Sequence, residues 1–338
     1  MPVRLEPLSR EQIANWDALT AHFPRRQVFH RQAWFDVLAE THQAEWRYWA
    51  VTDAGRVLGY FCGGIITRGP FRVLGSPLRT WHTTNLGPLL EEGVDGAAFV
   101  HALDTMAAEE HLAMLEIEYP SMPHVAYETA GFSCRQTWTH QLPLSSDPSA
   151  MLRGMTKGRK WGIRVAQRNG LEVVECDEAG RLVYDQLSRA LQAKNAACPF
   201  TADFPASIVK HLKPRGLVFT LGVRNQQGEM VASGIFPYDN GVVYLWDCSS
   251  EISGRELHPN DLLHYGLMCR AGEQGITLYD MSGYGRFNKA FGAQLVATHR
   301  WNKCYSAVAR CARDGYEKIL RLERSSAAFS RLLHPRAK

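Results

Sequence analysis

No two of the eight cysteines are spaced as a C-x-x-C pair, so a zinc-ribbon arrangement is excluded. They are scattered at positions 62, 134, 176, 198, 248, 269, 304 and 311, a pattern that suits a reducing compartment. Cys304 and Cys311 stand two helical turns apart and are expected on one helix face. No apolar run approaches the length of a membrane span. The opening residues, MPVRLEPLSREQ, lack the apolar segment of a secretory signal, so the expected location is cytoplasmic. Gly-x-Ser-x-Gly, the Walker loop and the dinucleotide Gly-x-Gly-x-x-Gly are all missing, which removes three common catalytic frameworks. Gly283-Tyr284-Gly285 is a turn and not a fingerprint. Charge of neither sign dominates: 38 Lys and Arg against 34 Asp and Glu leave a net +4. That balance is compatible with a phosphorylated ligand and too weak to establish nucleic-acid binding.

What is present is a folded chain of 338 residues, 45% hydrophobic and 21% charged, long enough for two domains. The same order of elements is legible twice. RYWAVTDAGRVLGYFCGGII (47–66) reads as a hairpin turning at Asp53-Ala54-Gly55, and LVFTLGVRNQQGEMVASGIFPYD (217–239) as another turning around Gln227-Gly228. Each hairpin is followed by a further strand, a helix and a buried strand. These last are 95–111 and 112–120 in the first half, and 260–274 and 275–283 in the second. The pattern implies an internal duplication, with domains at 1–147 and 148–338 divided near the Pro- and Ser-rich LPLSSDPSA. The aromatic-rich opening, with Trp16, Trp34, Trp46 and Trp49, is expected to build the first core.

Residues 242–283 carry the densest functional signal. They read as strand (VVYLWDCSS, 242–250), polar loop, long helix (260–274) and strand (275–283), a βαβ unit whose first loop opens a cleft at a helix N-terminus. Amide donors there favour anionic groups. Just beyond lies Phe287-Asn288-Lys289-Ala290-Phe291-Gly292. His258, Asp261 and His264 recur at intervals of three, but Pro259 puts His258 in a loop and no second cluster completes a site, so no metal is expected.

Residues 148–171 hold six basic side chains and no acid. On one helix Arg153, Lys157, Lys160, Arg164 and Arg168 fall within roughly an 80° arc. Leu152, Met155, Ile163 and Ala166 take the opposite side, and Arg159 points with the apolar set. Gly154, Gly158 and Gly162 weaken the helix, or else permit close backbone packing. Two readings of the stripe stand: a face for tRNA or another phosphate-bearing ligand, and a solvated basic surface. Trp161 is the one aromatic among these residues.

Four passages resemble the Fem-type aminoacyltransferases, in the order found in that family. RQVFHRQAWFDVLAETHQAEWRYWAV (26–51) resembles their N-terminal entry, and ETAGFSCRQTWTHQLPL (128–144) the turn and strand closing their first domain. MLRGMTKGRKWGIRVAQRNGLEVVE (151–175) resembles the basic helix and strand that open the second, and YDMSGYGRFNKAFGAQLV (279–296) a passage near its end. The resemblance implies an α/β chain of two tandem GNAT-like domains, each a mixed sheet flanked by helices. It also implies N-acyl transfer to an amine, with aminoacyl-tRNA or acyl-CoA as donor co-substrate and no resident cofactor. No heptad run is present, so no coiled-coil arm is expected. SGRELHPNDLL (253–263) lacks the glycine pattern that cradles the CoA pyrophosphate, which tips the reading toward aminoacyl-tRNA.

Aminoacyl transfer passes through a tetrahedral oxyanion and needs a positive donor and a proton acceptor. Lys289 matches the family's lysine shifted by one residue, and two flanking aromatics are expected to desolvate it; the alternative is a surface lysine with a snorkelling stem. Asp280 either orients that lysine, accepts a proton or caps a turn. Asp247, Tyr284 and Arg286 are expected to line the same cleft. In peptidoglycan-type relatives basic residues hold the diphosphate of a nucleotide-linked acceptor, so a peptidoglycan precursor or another small or peptide amine is the expected acceptor, and Arg31 and Lys194 stand by rough position, with no matching motif, as its binding residues. The tail over 304–335 reads as a helix of mixed charge that packs on the second domain or touches tRNA or a membrane surface. An acyl-thioester N-acyltransferase for polysaccharide or natural-product assembly is the second reading, and a non-catalytic nucleic-acid-binding protein the third.

Overall fold

The computed structural model describes residues 3–119, 124–283 and 285–325. It divides into two compact units, Met1–Thr139 with Val296–Arg310 and His140–Leu295 with Cys311–Lys338. The expected cut at 147/148 is therefore displaced, and it misses a return of the chain. Residues 296–310 belong to the first unit because their strand pairs there, Arg300 opposite Glu118 through Cys304 opposite Met114. Trp301 is fully buried in that unit's core.

The first unit opens with β1 (Arg4–Pro7), α1 (Arg10–Ala14), α2 (Trp16–Leu19) and α3 (Gln32–His42). Ser9 starts α1 with a capping box, its Oγ accepting from Gln12 N while Gln12 Oε1 accepts from Ser9 N. The strands β2 (Glu45–Asp53) and β3 (Arg56–Arg68) form the expected hairpin, with Ala54 and Gly55 at positive φ. Next come β4 (Phe71–Ser76), the short β5 (Leu89–Leu90), α4 (Gly96–Glu109), β6 (Met114–Glu118), α5 (His124–Thr129) and β7 (Ser133–Pro143). β6 runs parallel to β4, so α4 is a crossover helix, capped by Asp95 through Ala97 N. Trp16, Trp34 and Trp49 are buried as expected, and the half-buried Trp46 stacks on Phe35 at 4.0 Å.

The second unit repeats that order. After the C-terminal end of β7 come α6 (Pro148–Gly154), α7 (Lys157–Arg168), β8 (Glu172–Glu175), α8 (Ala179–Gln192) and α9 (Asp203–Leu212). A hairpin follows, β9 (Val218–Arg224) with β10 (Met230–Asp239), then β11 (Val242–Tyr244), β12 (Asp247–Ser250), α10 (Pro259–Glu273) and β13 (Leu278–Asp280). The last elements of the chain are α11 (Arg286–Lys289), β14 (Gln294–Cys304), which returns to the first unit, and α12 (Ala307–Ser325). The sheet order is β7-β13-β11-β10-β9-β8, with β11 and β13 parallel across α10. Leu263, Leu267 and Met268 of α10 pack with Phe236, Tyr279 and Phe291 in the core.

Three sequence expectations change in this unit. The single basic helix is two, broken at Met155, which is buried in extended conformation, and restarted by Thr156 Oγ1 accepting from Arg159 N. The strand read over 242–250 is split at Leu245-Trp246. Cys304 ends β14 whereas Cys311 lies in α12, so they do not share a helix face. The longest helix among the described residues is the 19-residue α12, and none of them is long and apolar enough to cross a membrane.

Candidate active site

The break between β11 and β12 is where the sheet opens. β11 pairs with β13 up to Tyr244 opposite Asp280, and Leu245 N still donates to Asp280 O at 2.8 Å. Beyond that point β12 stays on β10, with Asp247 opposite Ile235 and Ser250 opposite Ala232. The chain leaving β13 turns the other way, Met281 N donating to His140 O at 2.8 Å. Ser282 Oγ closes the apex by donating to Leu245 O at 2.7 Å. Glu251 N donates to Val231 O on β10, so by alternation along an antiparallel pair the N–H groups of Cys248 and Ser250 face the opening.

Asp247 is the first residue beyond the split, and its Oδ1 accepts from Cys248 N at 2.7 Å. It shares a sheet face with Ser249 and with Ser233, whose Oγ donates to Gln186 of α8 at 2.8 Å. That face is covered by α8, α9 and the loop between them. Phe200 and Phe204 lie 4.9 and 5.1 Å from the Trp246 ring, and burial, with a smaller contribution from the charge of Asp247, raises the pKa of the loop thiol Cys198. This apolar cover pushes the Asp247 carboxyl up to about 7, opposed only by the Cys248 amide. At neutral pH the group therefore exchanges a proton readily. The signal in the sequence was a lone acid in the apolar run VVYLWDCSS.

The opposite face of β12 meets α10. Cys248 Sγ lies 3.4 Å from His264 Nε2, and Tyr279 Oη lies 2.8 Å from His264 Nδ1. Burial, reinforced by Arg159, lowers His264 to about 3, and burial pushes the Cys248 thiol up. His264 is thus a neutral core group, which accounts for one of the three residues in the apparent metal pattern. The other two belong to an ion cluster: Arg159 pairs with Asp261, and His258 Nδ1 lies 3.3 Å from Asp261 Oδ2. Burial raises Asp261, with Arg159 and His258 opposing it. Among the described residues no three His, Cys, Asp or Glu side chains converge as a metal site.

Arg159 does point with the apolar set, as the helix arithmetic predicts. Its guanidinium lies 3.9 Å from the centroid of Phe287 and 5.1 Å from that of Phe291. The aromatic pair thus encloses Arg159 and not Lys289, which lies exposed at the end of α11. The residue turned toward the opening is Asn288, whose Nδ2 donates to Met281 O at 3.2 Å and Ser282 O at 3.1 Å. These two bonds fix the rotation of the short helix and carry Lys289 outward. Lys289→Ala is accordingly expected to change turnover by no more than a few-fold in a steady-state assay, well short of the roughly 10²–10³-fold expected for a lost oxyanion donor.

Asp280 is buried and accepts from Ser282 N at 3.0 Å and Gln141 Nε2 at 3.1 Å, so it acts as the turn residue that shapes the apex. Arg286 is exposed at the start of α11, and Tyr284 lies outside the described residues. Lys194 is exposed in the loop after α8, which also carries Cys198 and Phe200. Arg31 lies in the first unit, 3.6 Å from Asp17, at the N-cap of α3.

Of the basic stripe, Lys157, Arg164 and Arg168 are exposed on α7. Lys160 is half-buried and donates to Arg153 O at 3.3 Å, and Arg153 lies 3.4 Å from Asp147. The helix packs closely on α10 through Gly162, where a Cβ would collide with the Asp261 carboxylate and approach His258 Nδ1 at 3.0 Å. Gly162→Ala is expected to cost about 1–3 kcal/mol by chemical denaturation, since a buried ion pair must shift to admit a methyl group. The N-terminus of α10 is no anion cradle. Pro259 lacks an N–H, Asn260 Nδ2 donates to Ser250 Oγ at 3.3 Å, and the acid Asp261 occupies the first turn. Gly292 explains the end of the Phe-Asn-Lys-Ala-Phe-Gly motif: its φ is +93°, and a Cβ there would lie 2.7 Å from Gly154 O.

Residues 153–291 match the family described as the acetyltransferase (GNAT) domain. No curated protein matches the sequence. Among solved structures, FemX is similar at 13% identity and a TM-score of 0.68, over 87% of this chain and 96% of that one. A tandem GNAT protein from the clavulanic acid biosynthesis pathway is similar at 16% identity and 0.55, over 90% and 99%. The C-terminal domain of a putative lysylphosphatidylglycerol synthetase from Agrobacterium fabrum is similar at 12% and 0.57, over 90% and 96%. At these identities the likeness shows the fold, and that fold is the tandem GNAT-like architecture that the four passages imply.

Proposed function

We propose that this chain, Fem-like in fold and carrying a GNAT acyltransferase domain at residues 153–291, transfers an aminoacyl group to an amine, with Asp247 as general base. The observation that carries this reading is a carboxyl at the split of the sheet whose pKa is pushed up to about 7. A base in that range accepts a proton from an ammonium or attacking amine without being too weak to do so. The amine enters on the face covered by the α8–α9 loop, where Phe200, Phe204 and Trp246 exclude water. It attacks the acyl carbonyl lying in the opening. The carbonyl oxygen, as it becomes negative, is met by the Ser250 backbone N–H, which β12 turns to that side. The ester or thioester bond breaks as the amide forms, and the proton held by Asp247 passes to the leaving oxygen or sulfur.

Aminoacyl-tRNA is the donor we favour. The α10 N-terminus lacks a pyrophosphate cradle, and the basic face of α7 provides phosphate contacts instead. The likeness to FemX, and to a domain whose named product is an aminoacylated lipid, supports aminoacyl transfer. The acceptor is an amine, and a nucleotide-linked peptidoglycan precursor is the candidate for it, with the exposed Lys194 on the acceptor-side loop. The test is transfer of a radiolabelled amino acid from charged tRNA to a panel of amines, beside the same panel with acyl-CoA. RNase must abolish the first reaction. Transfer from acyl-CoA that survives RNase overturns the donor assignment.

A further inference from the structure

The basic face of α7 contains one side chain that charge does not explain. Trp161 is 57% exposed, against 39% for Trp138, the other exposed tryptophan among the described residues. At about 100° per residue it falls with Lys157, Lys160, Arg164 and Arg168 inside an arc of about 100°. The helix carries no acid. Lys157 stands one turn before the ring and Arg164 one turn after it, each a neighbour on the helix surface.

The ring is also held. His258 meets it edge-on, with centroids 5.0 Å apart and planes at 79°. His258 is itself fixed: φ is +57°, and its Nδ1 lies 3.3 Å from Asp261 Oδ2, in the ion pair with Arg159. An exposed indole would ordinarily sample several rotamers. Here the ring is pinned by a residue that the core anchors, and more than half of its surface stays exposed.

We propose that Trp161 is a stacking platform for an unpaired nucleobase, and that the α7 face binds the single-stranded end of an RNA. The inference rests on the aminoacyl-tRNA reading above and assigns to it a residue and a mode of contact. A flat apolar ring among cations is the recurring chemistry of single-strand binding, in which cations follow the backbone and the ring takes a base. The length of the stripe favours a strand over one nucleotide. From Lys157 to Arg168 the helix rises about 16 Å, enough to follow successive phosphates. The pairing is sequence-tolerant, since every base has a π-face.

The experiment is fluorescence anisotropy with the full chain and a labelled single-stranded RNA dodecamer ending in CCA, beside a blunt RNA duplex, across a salt series. Trp161→Ala is expected to weaken binding of the single strand roughly 5- to 100-fold, the loss of one stacked base, with an unchanged salt slope. Trp161→Phe should recover most of the affinity. Lys157→Ala and Arg164→Ala should each lower the slope by about 0.7, and duplex binding should ignore Trp161→Ala. Equal binding of the single strand by wild type and Trp161→Ala overturns the proposal. So does CoA displacing the RNA in a Trp161-dependent way, which would make the occupant a small nucleotide. Trp161-dependent RNA binding without RNase-sensitive transfer keeps the platform and removes the donor reading; RNase-sensitive transfer with an indifferent Trp161 does the reverse.

Discussion

Asp247→Asn is expected to lower kcat by roughly 10²–10⁴-fold while making the protein harder to unfold. The two effects have one cause. Burial raises this carboxyl from 3.8 to about 7, so the folded state disfavours its charged form. The sign of the linkage follows. Between about pH 4 and pH 7 the unfolded chain ionises Asp247 and the folded one holds its proton, so stability falls as pH rises through that window and stays lower above it. Asparagine is never charged, keeps an oxygen for the Cys248 amide and removes that loss. The variant should therefore gain roughly 1–3 kcal/mol at pH 8 and little at pH 4. For catalysis the sign is opposite. The base must be unprotonated, so wild-type kcat/KM should rise with pH through about 7, and this limb should vanish in Asp247→Asn. Denaturant titrations at pH 4 and 8, with a pH–rate profile, read both. A variant retaining a third of wild-type kcat would remove Asp247 from the mechanism whatever its stability.

The sequence makes the duplicated order of elements legible because local signals enforce it. Ala54-Gly55 closes one hairpin, a turn ending in Gly228 closes the other, and Asp95 and Asp147 cap helices where the patterns begin. Arg159 could be placed among apolar residues by helical geometry alone. The split at Leu245-Trp246 could not be seen. VVYLWDCSS is suited to a strand throughout, without Gly or Pro, and the chain parts there because Ser282 and Asp280, some 35 residues on, hold Leu245 against β13. The same remoteness misplaced Lys289. Adjacent residues on a helix point about 100° apart, and which of Asn288 and Lys289 turns inward is decided by two carbonyls at Met281 and Ser282. The return of β14 to the first unit is likewise a long-range pairing that no local pattern announces.

In the first unit the place equivalent to the split is filled, and this gives the second large effect. β4 and β6 are parallel up to Ser76 opposite Ile117, as β11 and β13 are up to Tyr244 opposite Asp280. Around that point lie Glu116 and Glu118, both buried, with Arg300 of β14 between them. Arg300 pairs with Glu118, donates to Glu116 Oε1 at 2.7 Å and reaches Pro77 O at 3.0 Å. Arg79 N donates to the same Glu116 Oε1 at 2.7 Å, and Thr298 Oγ1 donates to Glu118 Oε1 at 2.8 Å. This network ties β14 and the Pro77–Arg79 segment after β4 to β6, at the place that the split takes in the other unit. Arg300→Met removes the cation that lies between two buried carboxylates, so it should cost about 3–5 kcal/mol. Replacing all three charged residues with apolar ones of similar volume should restore most of that loss, because it is the uncompensated charge that destabilises. Guanidinium denaturation of wild type, Arg300→Met and the triple variant separates the cases. A single variant within 1 kcal/mol of wild type would show that the cluster is hydrated and leaves the first unit's cleft open. A triple variant that folds and still transfers acyl groups would assign the chemistry to the second unit alone.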